Sequence, residues 1–389
     1  MSAILVLNAG SSSLKFAAFE ADGLTPILRG QVSGLSSDAR FEAKDGTGAE
    51  LPCPTIDPAA DHAAAQRAVI EWLRDQGLGR IIGAGHRIVH GGSQYIAPTL
   101  VTDAVQEALD KLKALSPVHQ PFGLGALRRM REIAPRVPQV ACFDTAFHAS
   151  QPDVATWLPL PRRYHDKGYR RYGFHGLNYE HVVRALPGIT GAPLPRRLLA
   201  AHLGNGASLC AILDGKSIAT TMGYSTADGL VMGTRTGALD PGVVIALIRD
   251  EHMGLEQLED LLYRQSGLKG LSGISGDMRT LLASDRDEAR FAIAHYCYSA
   301  ARHAGSLITA LGGLDGVVFT AGVGEHAAPI RARICDHLAW LGVSIDPERN
   351  AAHAPRISPD GARVPAWIVP ADEEAVIARH TSDLVGRRA

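Results

Sequence analysis

The chain has 389 residues, 46% of them apolar and 20% charged, with 39 Lys and Arg against 40 Asp and Glu for a net charge of −1. A length well beyond about 200 residues predicts two domains rather than one core. The balanced charge leaves no basic field to collect nucleic acid or an anionic lipid surface, so any anion site must be a local cluster. Five scattered cysteines without a CxxC pair argue against a disulfide framework or a zinc site and read as buried, reduced thiols. The start shows no basic segment leading into a long apolar one, and no apolar run approaches the roughly 18 residues that span a bilayer. A cytoplasmic protein with no membrane partner is the expectation.

In chain order, the first signal is ILVLNAGSSSLKFAAFE at 4–20, an apolar run broken by small polar residues and then resumed. This reads as strand, tight bend, strand. In Walker A and dinucleotide motifs a helix follows the phosphate loop, so here the bend itself must hold any ligand. Glycine and serine N–H groups can line a nest for anionic oxygens, and Asn8 can orient a metal-bound water; an ordinary hairpin turn is the alternative. Helices are predicted over 62–76, 102–115 and 122–133, separated by strand-like runs at 80–89 and 139–143, an α/β alternation. Pro152, Pro159 and Pro161 predict a segment free of helix at 151–161 and place the domain junction there. The domains are then 1–150 and 151–374.

The opening shape returns as LLAAHLGNGASLCAILDGKSI at 198–218. Two strand–loop–strand units roughly half a chain apart predict a duplicated architecture. The second half ends in a strand at 366–370, the triplet Asp372-Glu373-Glu374 and a helix of about 375–389, whose return to the first domain is left open.

Several constellations could carry chemistry. GHRIVHGG at 85–92 sets Arg87 beside a glycine pair, and MGTRTGALDPG at 232–242 brackets Arg235 with glycines. Two arginines in glycine-rich loops suggest an anion clamp, with surface salt bridges as the alternative. His119, His148, His175 and His202 recur in similar settings. Of these, His175 in RRYGFHG stands among two arginines, two aromatics and two glycines, an unusual composition for a mere loop. Asp144 follows an apolar run, where strands end and ligands bind in α/β folds. Gly215-Lys216-Ser217 is no Walker A motif, because the required first glycine falls on Cys210. GVGEHA at 322–327, after a strand-like run and with Asp346 about 20 residues on, satisfies G-x-G-x-x-A and keeps a dinucleotide-binding alternative open.

Taken together, NAGSSSLK, GHRIVHGG, FDTAFH, RRYGFHG, HLGNGAS, MGTRTGALDPG, GLSGISGDMR and FTAGVGE resemble the acetate and propionate kinase family, in that order and over nearly the whole chain. The resemblance implies an α/β, duplicated ribonuclease-H-like fold of two domains with mixed sheets flanked by helices, shared with actin, sugar kinases and heat-shock chaperones. It also implies a homodimer acting on a small carboxylate, with ATP and ADP as co-substrates and Mg2+ or Mn2+ as the metal.

By the same comparison, Ser13 and Lys15 belong to a first phosphate hairpin, and His202, Gly204, Asn205 and Gly206 to a second. Asp277, Met278 and Arg279 would lie near base and ribose, with Gly322, Val323, Gly324, Glu325 and His326 on the adenosine side. Asn8 and Glu373 would hold the metal. Arg87 and Arg235 would grip carboxylate and transferring phosphate, Asp144 and His175 would complete the catalytic group, and Val89, Val118 and Thr226 would border the acyl group. Three segments depart from the family pattern: TPLEG reads Thr226-Ala227-Asp228-Gly229 after Ser225, LHNP reads Val118-His119-Gln120-Pro121, and GEN reads Gly324-Glu325-His326. The first two leave the choice among acetate, propionate and butyrate open.

The chemistry asks for such cations. A carboxylate with a pKa near 4 is ionised at neutral pH and needs no general base, but it must approach a charged phosphate. Two unit charges about 4 Å apart at an effective dielectric of about 20 repel by about 4 kcal/mol, roughly a thousandfold in rate. Arginine forks and a divalent cation offset that repulsion. A sugar or polyol kinase of the same superfamily would instead use Asp144 as a base, and an actin-like nucleotide switch would turn over without an acceptor.

Overall fold

A computed structural model of the chain describes residues 2–10, 13–115 and 120–386; Ser11, Ser12, Val118 and His119 of the sequence reading lie outside the described residues. The chain divides into two compact units, 1–146 with 372–389, and 147–371.

The first unit is built on a seven-stranded sheet. Its strands are β1 (Ser2–Ala9), β2 (Ser13–Glu20), β3 (Pro26–Ser33), β4 (Arg40–Asp45), β5 (Arg80–Ile88), β6 (Thr99–Leu100) and β7 (Gln139–Phe143), in the order β4-β3-β2-β1-β5-β7-β6. The first four form an antiparallel meander, and β5 and β7 run parallel to β1. All of β1 except Ser2, and all of β7, is buried, so these strands read as continuous apolar runs rather than as alternating ones. On one face the helix His62–Arg74 packs through Trp72, which meets Phe16 and Phe41 edge-on at 5.8 and 5.4 Å. The opposite face carries the helix Glu373–Gly386. It sits against bare backbone: a Cβ on Gly85 of β5 would fall 2.3 Å from Thr381 Oγ1 and 2.5 Å from Ile377 Cγ2.

The second unit holds a five-stranded sheet of β8 (Arg197–Leu203), β9 (Ala207–Leu213), β10 (Lys216–Thr220), β11 (Gly316–Thr320) and β12 (Ala366–Ile368), ordered β10-β9-β8-β11-β12. Here three strands form an antiparallel meander and two run parallel to the first of them. With the edge strands β4 and β6 set aside, β3-β2-β1-β5-β7 of the first sheet matches β10-β9-β8-β11-β12 of the second, the topological form of the expected duplication. The long helix Asp287–Leu311 packs on β9 and buries Ala289, Ala292, Ile293, Tyr296 and Ala300, at the three- and four-residue spacing of one helical face. No helix among the described residues is long and apolar enough to cross a membrane.

Two expectations change. Pro152 and Pro161 do not exclude helix: they stand directly before the one-turn helices Asp153–Thr156 and Arg162–Asp166, where a fixed φ suits a helix start and the missing N–H is not required. The dinucleotide alternative also fails. GVGEHA lies in the helix Ala321–His326 after β11, but the sheet that β11 joins contains an antiparallel meander, not the parallel βαβ order of that fold.

Candidate active site

In the first unit the chemistry collects where β1, β5 and β7 end. Arg87, the penultimate residue of β5, turns its guanidinium on Asp144, one residue beyond β7. Arg87 Nε donates to Oδ1 at 3.0 Å and to Oδ2 at 3.1 Å, and Nη2 donates to Oδ2 at 2.5 Å. Arg87 Nε also lies 3.6 Å from Glu373 Oε2, and Nη1 donates to Asn8 Oδ1 at 3.4 Å. Asn8 Nδ2 in turn donates to Glu373 Oε2 at 3.1 Å and to Glu374 Oε1 at 2.8 Å. Asp144 is 1% exposed. Burial outweighs the attraction of Arg87 and pushes its carboxyl up to about 6, so it is ionised at neutral pH. For Arg87 burial works against the charge, but Asp144 and Glu373 together more than offset it and raise the guanidinium above its usual value. A third carboxylate of the helix start, Asp372, takes both guanidinium ends of Arg29 at 2.8 and 2.7 Å.

In the second unit the grouping is of imidazole, hydroxyl and amide side chains with one arginine. His175, at φ 60° just before the helix Gly176–Thr190, faces Ser208 Oγ with Nδ1 at 2.8 Å. Ser208 Oγ is also 2.6 Å from Tyr179 Oη. The His175 ring stacks on His202, centroids 3.9 Å apart and planes within 7°, and His202 Nδ1 accepts from Asn178 Nδ2 at 2.8 Å. The bend between β8 and β9 crosses this group closely, since a Cβ on Gly206 would come within 3.3 Å of both Arg235 Nη2 and His175 Nε2. Arg235 Nη1 donates to the carbonyl of Thr226 at 2.8 Å. His148 stands behind, bridging Ser217 Oγ and the Phe174 carbonyl at 2.8 Å each, and burial lowers it to about 4.

Beside the β8–β9 bend lies a cavity of about 500 Å3, walled by Gly204 and Asn205, by Asp277, Met278 and Arg279, and by Gly322, Val323 and His326, with Leu268, Leu282 and Tyr296 behind. Apolar walls with a few polar groups at a glycine loop suit a nucleoside and its phosphates.

Not every predicted residue joins these groups. Lys15 is exposed on β2 and borders a separate concavity with Arg29 and Lys44. Ser13 closes its bend through its own carbonyl, which accepts from Gly10 N at 2.9 Å. Val89 is buried beyond β5, and Val118 is outside the described residues. Gly324 and Glu325 stand outside the cavity wall: Glu325 Oε1 accepts from Ala371 N at 2.9 Å, and the Gly324 carbonyl is held by Arg331. Missed by sequence reasoning are Glu374, Arg29, Ser208, Tyr179 and Asn178. His62, whose Nε2–H donates to the Gly10 carbonyl at 2.7 Å, was missed too. Glu374 had a signal in its place beside Glu373, and Ser208 in its place at the end of HLGNGAS.

As to a metal, no cluster of three or more His, Cys, Asp or Glu among the described residues is arranged as a cage. Glu373 and Glu374 nevertheless gather carboxylate oxygen donors around Asn8, which meets them with Nδ2 while its Oδ1 accepts from Arg87. Those donors fit a magnesium-like cation, which keeps several waters and takes one or two carboxylates plus substrate phosphates.

Residues 3–379 match the Acetokinase family. An acetate kinase of Nitrobacter hamburgensis is 46% identical over 390 residues, covering 99% of this chain and 96% of that protein. One of Rhodopseudomonas palustris is 47% identical over 387 residues, 97% of each. Among solved structures, a propionate kinase from Francisella tularensis superposes with a TM-score of 0.90 at 32% identity, covering 98% of this chain and 100% of that one. Porphyromonas gingivalis acetate kinase gives 0.86 at 31% identity, covering 99% and 100%.

Proposed function

The chain belongs to the acetokinase family, and from that premise we propose that it transfers the γ-phosphoryl group of ATP to the carboxylate of acetate, giving acetyl phosphate and ADP by a reversible in-line displacement. The observation that carries this over a hydroxyl-phosphorylating kinase is the engagement of Asp144, both of whose oxygens receive N–H groups of Arg87. A hydroxyl acceptor needs such a carboxylate free as general base. A carboxylate acceptor arrives ionised and needs cations, which Arg87 and Arg235 supply.

In this reading Asp144 orients Arg87, and Arg87 holds the acceptor carboxylate. Arg235 and His175 stabilise the equatorial oxygens of the phosphoryl group in flight, where charge spreads over three oxygens. Ser208 at Nδ1 and His202 against the ring fix the plane of His175, so the Nε2 beside Gly206 faces the phosphate. The glycine bend brings backbone N–H groups to the phosphates, and the cavity takes the adenosine. Mg2+ or Mn2+, held by Glu373 with Asn8 beside it, would neutralise charge on the leaving diphosphate. Thr226, whose carbonyl accepts from Arg235, borders the acyl group.

Acetate is favoured by the curated relatives, and propionate stays close because one methylene changes discrimination by only about 1–3 kcal/mol. A cytoplasmic homodimer belongs to the same proposal. Support for the second copy comes from the exposed Val243, Ile245 and Ile248 on the helix Pro241–Asp250 with Leu239 before it, an apolar surface of the kind a partner covers. Light scattering should give twice the chain mass.

The functional test is incubation with Mg-ATP and formate, acetate, propionate, butyrate or glycerol, with acyl phosphate trapped by hydroxylamine. Hydroxamate is expected with acetate first and propionate second. ADP release with glycerol and no hydroxamate would replace the acceptor, and ADP release independent of every acceptor would replace the reaction class.

A further inference from the structure

Arg331, on the helix Ala328–His337, is fully buried, yet no carboxylate among the described residues pairs with it. Burial lowers its guanidinium to about 10, so it stays charged at neutral pH. All five of its N–H groups are used. Nε donates to Asn350 Oδ1 at 2.8 Å. Nη1 donates to the carbonyls of Gly324 at 2.9 Å and Glu325 at 2.8 Å. Nη2 donates to the carbonyl of Asn350 at 2.8 Å and to His353 Nδ1 at 3.0 Å. Asn350 Nδ2 donates in turn to the Ala328 carbonyl at 2.9 Å, closing the ring on the helix that carries the arginine.

Gly324 and Glu325 belong to the helix Ala321–His326, which contributes Gly322, Val323 and His326 to the cavity wall. Six residues cannot sustain a helix alone. Its first residue, Ala321, also sits at φ 66°, a left-handed conformation unfavourable for alanine. The carbonyls at its C-terminal end lack intrahelical donors and carry the negative end of the helix dipole. A cation with two N–H groups aimed at those carbonyls satisfies both needs, and a carboxylate partner would compete with them for the guanidinium.

We propose that Arg331 is the positioning residue of the nucleotide pocket: its carbonyl cage fixes the wall on which the adenosine end of ATP rests, so nucleotide affinity depends on it and carboxylate affinity does not. The proposal rests on the nucleotide reading of that cavity.

The test is calorimetric titration of the full-length protein with Mg-ADP, together with KM for acetate, in Arg331→Met, Asn350→Ala, His353→Ala and the double variant Arg331→Met/Asn350→Ala. Arg331→Met should raise the ADP Kd about tenfold, and the two single-contact variants about threefold, with KM for acetate unchanged. The double variant should bind ADP no worse than Arg331→Met, because both act through one cage, and Arg331→Lys, which keeps the charge and three donors, should recover part of the loss. Wild-type ADP affinity in a folded Arg331→Met, or an equal loss for ADP and acetate, overturns the proposal. Should Arg331→Met fail to fold, unchanged ADP affinity in both Asn350→Ala and His353→Ala overturns it equally. A wild-type protein that binds no ADP would reject the pocket assignment itself, and the positioning role with it.

Discussion

The two units share a strand order but hold their polar groups by different means. In the first, Arg87 is clamped by the carboxylates Asp144 and Glu373; in the second, His175 is held by a hydroxyl and a stacked ring, Ser208 and His202. A charged clamp ties geometry to charge, since removing one partner strands another in low dielectric. A network of hydroxyl and ring contacts separates the two, because each contact can be deleted at the cost of one hydrogen bond. A duplicated scaffold can thus carry an electrostatic half and an orienting half.

The largest effect expected from breaking this contrast is that of Arg87→Ala. Asp144 would be left 1% exposed and uncompensated, so unfolding free energy should fall by about 3–5 kcal/mol and acyl phosphate formation by about a thousandfold. Urea melts and hydroxamate yield measure both; a variant as stable as wild type would mean Asp144 is satisfied elsewhere.

Acid should weaken both units in the same way, because each buries a neutral imidazole. His86 in the first and His148 in the second are both lowered by burial to about 4. The unfolded chain binds these protons first as pH falls below about 6.5, so stability should decline between about pH 6.5 and 4 and change no further below that on their account. His148 alone accounts for about 3 kcal/mol over the window. Melting temperatures at pH 7 and 5 should show a smaller acid drop in His148→Gln than in wild type; identical drops would remove His148 from the linkage.

Ser208→Ala tests the orienting half. It leaves the Tyr179 hydroxyl without this partner and frees His175 to turn, so stability should fall by about 1–3 kcal/mol and kcat roughly tenfold, consistent with a lost positioning contact, while KM for acetate stays put. A shift in KM with unchanged kcat would put His175 in ground-state binding instead.

Smallest should be Gly206→Ala. Its methyl would meet Arg235 Nη2 and His175 Nε2 at 3.3 Å; the end of the long Arg235 side chain can give by a few tenths of an ångström, while the His175 ring is held by Ser208 and His202. A severalfold rise in KM for ATP with little change in stability is expected, of the order of 1 kcal/mol; no change would show that phosphate does not lean on this bend.

Much of this was readable in the chain before any coordinates. The run at 139–143 announced β7 because a strand buried on both faces is almost wholly apolar. The run at 80–89 announced β5 through its isoleucines and valine despite Arg80, His86 and Arg87, and the small residues at 8–13 and 204–208 marked bends because apolar strands flank them. Arg87 and Asp144 could be singled out at strand ends, but their pairing could not, since nothing local records a contact 57 residues apart. Ser208 lay inside the marked bend but its role did not show, and Tyr179 looks like an ordinary helix residue; only burial turns their hydroxyls into a network. GVGEHA misled because a strand followed by glycines is common to several phosphate-handling folds, and only the antiparallel meander tells them apart.

The helix Glu373–Gly386 covers β5 and brings Glu373 to Arg87, yet the ribosome makes it after the whole of 147–371. The usual vectorial order is therefore inverted: the second unit, contiguous in sequence, can complete its core while still tethered, whereas the first must wait with Gly83 and Gly85 uncovered. During synthesis the earlier-made sheet is a client for chaperones, and the charged clamp comes together only after every other strand of the protein has been made.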